Sequence, residues 1–347
     1  RCAMVLGGAP VFDADTPLKL LCWNVQFFGS TKYHFFYDGG STVSVPRSTI
    51  FKTLDAVAEY IRAENPDVVL LQEVDRGASR TGWIDQHAEL LSRLPLMRDE
   101  RSCWYWRALY VPGPKHEHLG RVHMHLSVFS KYRLGTCRRV PLPLISSDSC
   151  LMRLFNLRRA VQMVELPCTD GRVITLMNTH LSAFTSGDGT LQKQVAVLRS
   201  LTTTSRLWIL AGDTNCLPPE EVLDDRYGAA SSGGGGRGGG AVSRPFQARA
   251  SLEPSERALY ADQRTPVLPL FQTADCVLPL RQMQNEATAS RWFTYKPFQA
   301  KAADRTLDYV FTSPGEWEVL GSRVVHTPDW PSDHLPLVAT LRLCASE

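Results

Sequence analysis

Apolar residues in this chain gather into short unbroken runs separated by helical repeats. Leu18 to Val25, Asp67 to Val74, Val173 to His180 and Leu207 to Leu210 are runs of strand length, apolar enough to be buried on both faces. Between them, Ile50, Leu54, Val57, Ala58 and Ile61 recur at helical spacing until Pro66 stops the pattern. Leu191 to Leu201 repeats that period, with Thr190 as its expected N-cap, and another helix is predicted around Asp85 to Leu94. Trp104, Tyr105 and Trp106 read as core aromatics of a strand. Ala160 to Leu166 alternates, and Val122-His123-Met124-His125-Leu126 alternates as an edge or half-buried strand does. Thr306 to Phe311 is a strand holding one carboxylate, and a final strand follows Pro336.

Two stretches break the pattern. Residues 1–17 have no clear period and contain Gly7, Gly8, Pro10 and Pro17; they read as a leader on a chain expected to be a fragment or processed form. The second, near 222–250, includes Ser231 to Gly240 and reads as a flexible Gly-rich insertion within one domain spanning 18–343. It is not a phosphate loop, because no strand leads into it and no Gly-Lys-Ser/Thr follows.

Composition narrows the classes. Of 347 residues, 44% are hydrophobic and 21% charged, as in a globular protein, and a net charge of +3 does not announce a nucleic-acid binder. No run is long enough for an integral membrane segment. The nine cysteines are scattered without a CxxC pair, which excludes a zinc knuckle or redox motif and leads us to expect a reducing compartment.

The chemistry sits where apolar runs end. Asp213 and Asn215 follow Leu210-Ala211-Gly212 two residues apart, so an extended backbone points both into one cleft, a base beside a hydrogen-bond donor. Gly-Asp-x-Asn is equally a turn sequence. Asn24 closes the first run, either as a satisfied amide or as a group that binds phosphate or orients a metal ligand. Glu73 ends a core strand, where a carboxylate needs a partner: a divalent cation, or an arginine such as Arg76. His180 ends another strand and could protonate a leaving oxygen or meet a phosphate. Ser332-Asp333-His334 precedes the last strand, and Asp308 could orient His334 if their strands are neighbours; otherwise the tripeptide is a cap or turn. His116, His118, His123 and His125 look like metal ligands, but His123 and His125 fall in an alternating strand and a metal role is not expected for the four. Tyr33, Phe35, Phe36 and Tyr37 either rim a site or pack their loop, and Arg153, Arg158 and Arg159 form the nearest approach to a basic cluster.

Six stretches then coincide in order: Cys22-Trp23-Asn24, Leu71-Gln72-Glu73-Val74, Asn178-Thr179-His180-Leu181, Gly212-Asp213-Thr214-Asn215, Leu307-Asp308-Tyr309-Val310 and Ser332-Asp333-His334. Together they resemble the endonuclease/exonuclease/phosphatase family over residues 18–343. The resemblance implies a four-layered α/β sandwich of two mixed β-sheets with helices outside, and a Mg²⁺-dependent phosphoester hydrolase, Mn²⁺ being an alternative. It implies Glu73 as principal metal ligand with Asn24 and Asp333, and Asp213 as the group that activates water. Asn215, His180 and His334 would hold or protonate the phosphate, Asp308 would orient His334, and Asn24 and Asn178 would bind phosphate. The Gly120 to Lys131 segment and the Gly-rich insertion depart from the family pattern. The expected substrate is a phosphodiester, with a small or lipid-linked one preferred, and no protein partner is indicated. A nuclease or DNA-end phosphodiesterase is the alternative, and a silent scaffold the second.

Overall fold

A computed structural model of the chain describes residues 8–146, 148–149, 152–183, 188–219, 264–285 and 287–345. Its strands are β1 (Leu18–Asn24), β2 (Val68–Asp75), β3 (Asp99–Val111), β4 (Gly120–Ser130), β5 (Cys137–Pro141) and β6 (Ala160–Pro167). They are followed by β7 (Val173–His180), β8 (Trp208–Asp213), β9 (Asp275–Cys276), β10 (Asp308–Thr312), β11 (Trp317–Val324) and β12 (Leu337–Leu343). The helices are α1 (Arg47–Glu64), α2 (Gln86–Ser92), α3 (Met152–Phe155), α4 (Thr190–Thr204), α5 (Arg264–Thr273) and α6 (Leu280–Gln284). Two six-stranded sheets result, ordered β11-β12-β1-β2-β4-β3 and β5-β6-β7-β8-β10-β9. Each is mixed: β1 runs parallel to β2 and β7 to β8, among antiparallel neighbours.

The runs are unbroken because central strands are buried on both faces. On β1, Leu18, Leu20 and Cys22 join Leu176 and Leu210 of the facing sheet, whereas Leu21 and Trp23 pack with Ile50, Leu54, Val57 and Ile61 of α1. The second sheet is covered by Leu191, Val195 and Leu198 of α4 and Val267, Leu270 and Phe271 of α5. This is the predicted four-layered α/β sandwich. Leu54 anchors α1 with no exposed surface, so Leu54→Ala should cost about 2–5 kcal/mol. Among the described residues, no helix is long and apolar enough to cross a membrane.

Local chemistry sets the ends. At the C-terminus of α1, Asn65 turns left-handed (φ 49°), and its N–H donates to the carbonyls of Ile61 and Arg62. Asp85 caps α2 by accepting from the Ala88 N–H at 3.1 Å. At α4 the cap differs from expectation. Gly189 (φ 77°) holds the cap position and Thr190 is already helical, its hydroxyl accepting from the Ser146 N–H. β4 lies between β2 and β3, so its alternation belongs to a half-buried inner strand. The stretch read as a leader contributes to the core in its described part, where Phe12 is fully buried and bridges to Cys168. The Gly-rich insertion near 222–250 lies outside the described residues.

Candidate active site

The ends of β1, β2, β7 and β8, with the loop before β12, deliver their polar residues to one cavity of about 480 Å³. Asn24, Glu73, His180, Asp213, Asn215, Asp333 and His334 all line it.

Asp213 is its centre. The residue before it must be glycine, because β7 runs so close that a Cβ on Gly212 would sit 1.9 Å from the Thr179 carbonyl oxygen. Beyond Asp213 the strand stops. The Asn215 N–H donates back to Asp213 Oδ1 at 2.9 Å, Asn215 adopts φ 52°, and its side-chain amide donates to the Leu181 carbonyl at 3.0 Å. Gly-Asp-Thr-Asn is therefore a turn that also places Asp213 and Asn215 at the cavity. On its other oxygen, Asp213 Oδ2 accepts from Asn24 Nδ2 at 3.0 Å and lies 3.2 Å from His180 Nε2 and 3.6 Å from His334 Nε2.

A β-bulge aims Glu73. Along β2, Val68 and Leu70 face the inter-sheet core while Val69 and Leu71 face α1. Regular alternation would turn Gln72 inward and Glu73 outward. Instead, Leu71 pairs with Ser127 and Val74 with His125, so two residues of β2 oppose one of β4. Glu73 takes φ 60°, a conformation costing about 1–3 kcal/mol. Val74 returns to the α1 face, and Glu73 opens onto the cavity. There its Oε1 accepts from Asn24 Nδ2 at 3.1 Å, while Asn24 Oδ1 accepts from the Gln26 N–H at 3.0 Å. Asn24 thus clasps two carboxylates through its NH₂ group. The alternative partner, Arg76, pairs with Asp85 at 2.9 Å.

The Ser-Asp-His segment is tied to β1: the Ser332 hydroxyl donates to the Asn24 carbonyl and the Trp23 indole N–H to the His334 carbonyl, each at 2.7 Å. Asp308 and Asp213 face each other across β10 and β8, and Asp308 Oδ2 is 2.7 Å from His334 Nδ1. The strands of Asp308 and Asp213 are neighbours, and His334 lies against both residues.

These contacts set the protons. Burial alone would lower His334, but Asp308, Asp213 and Asp333 raise it to about 10, so at neutral pH it is an imidazolium. Burial lifts Asp213 to about 6, with His334 opposing and Asp308 adding to the rise. Burial likewise lifts Asp333 to about 7, His334 pulling it down and Glu73 pushing it up. His180 is held well below its ordinary value by burial and then by the charges of Arg159 and His334, and stays neutral. Asp213, Asp308 and His334 bring ligand atoms within 4.8 Å of one another, and Asp308 Oδ1 is buried without a hydrogen-bond partner.

Two expected site residues do not line the cavity: Asp308, which stands behind His334, and Asn178. Asn178 shares a face of β7 with His180 but lies one pleat deeper, fully buried between the sheets. Its amide donates to the carbonyls of Leu71 and Ser127, and its oxygen accepts from Gln72 Nε2 at 2.7 Å. No polar atom is left for phosphate, and Asn178 is a structural bridge. His123 and His125 pair with each other at 2.9 Å on β4, and His116 and His118 lie in exposed contacts. Gln26 escaped the sequence reading, Tyr105 was read only as a core aromatic, and Arg159 was read only as part of a basic cluster. Gln26 donates to Asp333 Oδ2 at 2.8 Å, and the Tyr105 hydroxyl lies 3.3 Å from His180 Nδ1. Arg159 lines the cavity 8% exposed, over the Tyr105 ring, and its Nη1 has no hydrogen-bond partner. Arg80 lines it too, but its guanidinium is committed to Asp75 at 2.8 and 3.1 Å. The signal for Arg159 was an arginine directly preceding a strand, β6, that is buried except at Glu165 and Pro167.

Comparison with known proteins follows the same lines. The profile of the Endonuclease/Exonuclease/phosphatase family matches residues 21–334. No curated protein matches the chain. Among solved structures, an endonuclease/exonuclease/phosphatase from Beutenbergia cavernae superposes with a TM-score of 0.61 at 20% identity, covering 94% of this chain and 72% of that one. The human Nocturnin catalytic domain, solved with a sulfate anion, gives 0.54 at 17% identity over 94% of both chains. A humanized D. rerio TDP2 gives 0.50 at 13% identity, over 94% of this chain and 98% of that one. At such identities the superpositions speak for the fold, and the family match speaks for descent. The chain belongs to the endonuclease/exonuclease/phosphatase family and carries its phosphoesterase- and nuclease-like fold.

Proposed function

We propose that the chain is a Mg²⁺-dependent phosphoester hydrolase, specifically a phosphodiesterase acting on a small or lipid-linked phosphodiester. The observation carrying this reading is the convergence of His180 Nε2 and His334 Nε2 on Asp213 Oδ2, beside a Glu73 that Asn24 ties to the same carboxylate.

A divalent cation fits the residues. Glu73 and Asp333 offer hard carboxylate oxygens to one cavity, and the Glu73 charge raises the cost of ionising Asp333. Glu73 and Asp333 would hold the ion, with Asn24 fixing Glu73. Asp308 and His334 are bonded to one another, which suits them to carrying a proton rather than a metal. When bound, the cation supplies neutralisation of phosphate charge.

The chain's own groups do the rest. Asp213 Oδ2 takes a proton from water, whose oxygen bonds to phosphorus as the P–O bond to the leaving alcohol breaks. The imidazolium of His334, with Asp308 behind it, holds a phosphate oxygen and passes its proton to the departing alkoxide; Asp213 then returns the proton. Neutral His180 and the Arg159 guanidinium hold the remaining phosphate oxygens, and Asn215 keeps Asp213 in position.

The test is hydrolysis of bis-p-nitrophenyl phosphate with Mg²⁺, with Mn²⁺ and with chelator. Turnover should require the metal and vanish in Asp213→Ala. Turnover indifferent to chelator, or retained in Asp213→Ala, defeats the reading.

A further inference from the structure

Half of the catalytic cavity has no part in the chemistry above. Phe36, Trp106, Val111, Leu119, Met124 and Phe155 line it, drawn from the loop after β1, the β3–β4 hairpin and α3. Trp106, Leu119 and Met124 belong to a separate core cluster that also contains Tyr105, the residue beside His180. This apolar wall therefore joins the catalytic groups through adjacent residues of one strand. It is also built: the Trp106 indole N–H donates to the Phe155 carbonyl at 2.7 Å, fixing α3 against β3. The cavity's size suits a small ligand.

Charge argues against a nucleic-acid strand as occupant. Binding a strand takes a succession of cations along its phosphates, with each base stacked on an aromatic ring. Among the described residues no lysine lines this cavity, Arg80 is held by Asp75, and Arg159 remains for one phosphate.

We infer that the wall receives one apolar substituent esterified to the phosphate, an aryl group or a short hydrocarbon chain. The substrate is then a single small phosphodiester with a hydrophobic arm. This rests on the phosphodiesterase reading and names the substrate class of that same site.

The test uses p-nitrophenyl methyl, butyl and phenyl phosphates with Mg²⁺, so that leaving group and metal stay constant while the arm grows. We expect kcat/KM to rise at least about tenfold from methyl to phenyl, the discrimination an apolar pocket gives for a few carbons. Trp106→Ala should narrow that ratio most. Phe36→Ser, at a half-buried loop position that tolerates change, should narrow it too. Calorimetry with phenylphosphonate and methylphosphonate should show the same preference without turnover. Equal kcat/KM across the series, or a single-stranded oligonucleotide cleaved better than every small ester, overturns the inference and leaves the hydrolase reading standing. No hydrolysis of any ester defeats the hydrolase reading beneath it.

Discussion

His334 and His125 are buried almost alike, 4% and 6% exposed, and each stands beside a second histidine, yet they hold their protons in opposite ways. His334 meets carboxylates: Asp308 at 2.7 Å and Asp213 at 3.6 Å, and these raise it to about 10 despite burial. His125 meets Ser102 and His123, with Arg76, His87 and Arg107 adding positive charge around it, and burial takes it down to about 2. The same residue type in the same solvent exclusion becomes a stored proton in one place and an inert neutral ring in the other. What separates the two is whether the strands alongside carry acids at that level.

The largest expected effect breaks the Asp308–His334 pair proposed to carry the proton. Asp308→Asn keeps the shape but removes the charge that holds the His334 proton, and kcat should fall about 10²–10⁴-fold. His125→Gln should leave kcat unchanged, since that ring lies on β4 away from the cavity lining. Next comes Arg159→Met. Losing one charged hydrogen bond to phosphate should lower kcat/KM about 10–100-fold. Thermal stability should hold or rise, because a buried guanidinium whose Nη1 lacks a hydrogen-bond partner is removed.

A smaller effect tests the bridge beneath the site. Asn178→Leu strands Gln72, the residue next to the Glu73 bulge, and should cost about 1–3 kcal/mol in urea unfolding.

The pH dependence of stability, measured in chelator, sharpens the contrast. His334 has its folded value raised above the ordinary one near 6.5, so its contribution is full below that pH and is lost as pH rises towards about 10. His125 is depressed, so its contribution is full above about 6.5 and is lost as pH falls towards about 2. Each slope is at most about 1.4 kcal/mol per pH unit. His334→Gln should flatten the alkaline limb and His125→Gln the acid limb; the reverse assignment would contradict the comparison.

Much of the candidate site could be read from the sequence because Asn24, Glu73, His180, Asp213, Asp308 and His334 are polar residues at or near the ends of apolar runs. Such residues in a doubly buried strand need a reason to be there. Depth was not legible. Asn178 and His180 share one face of β7, and only the position of the facing sheet decides which reaches the cavity. Nor was the bulge, since strict alternation would have turned Glu73 towards α1. The layers were legible from run length, whereas the burial of Phe12 against Cys168 depends on a contact more than 150 residues away in sequence.

The central claim is that the carboxylate-bearing cleft, and not the β4 histidine pair, holds a divalent cation. Mg²⁺ calorimetry on the intact protein tests this most directly, with Glu73→Gln and His125→Gln alongside. The account predicts a binding heat in the wild type and in His125→Gln that is lost or weakened at least about tenfold in Glu73→Gln. Binding that survives Glu73→Gln, or disappears in His125→Gln, would contradict it.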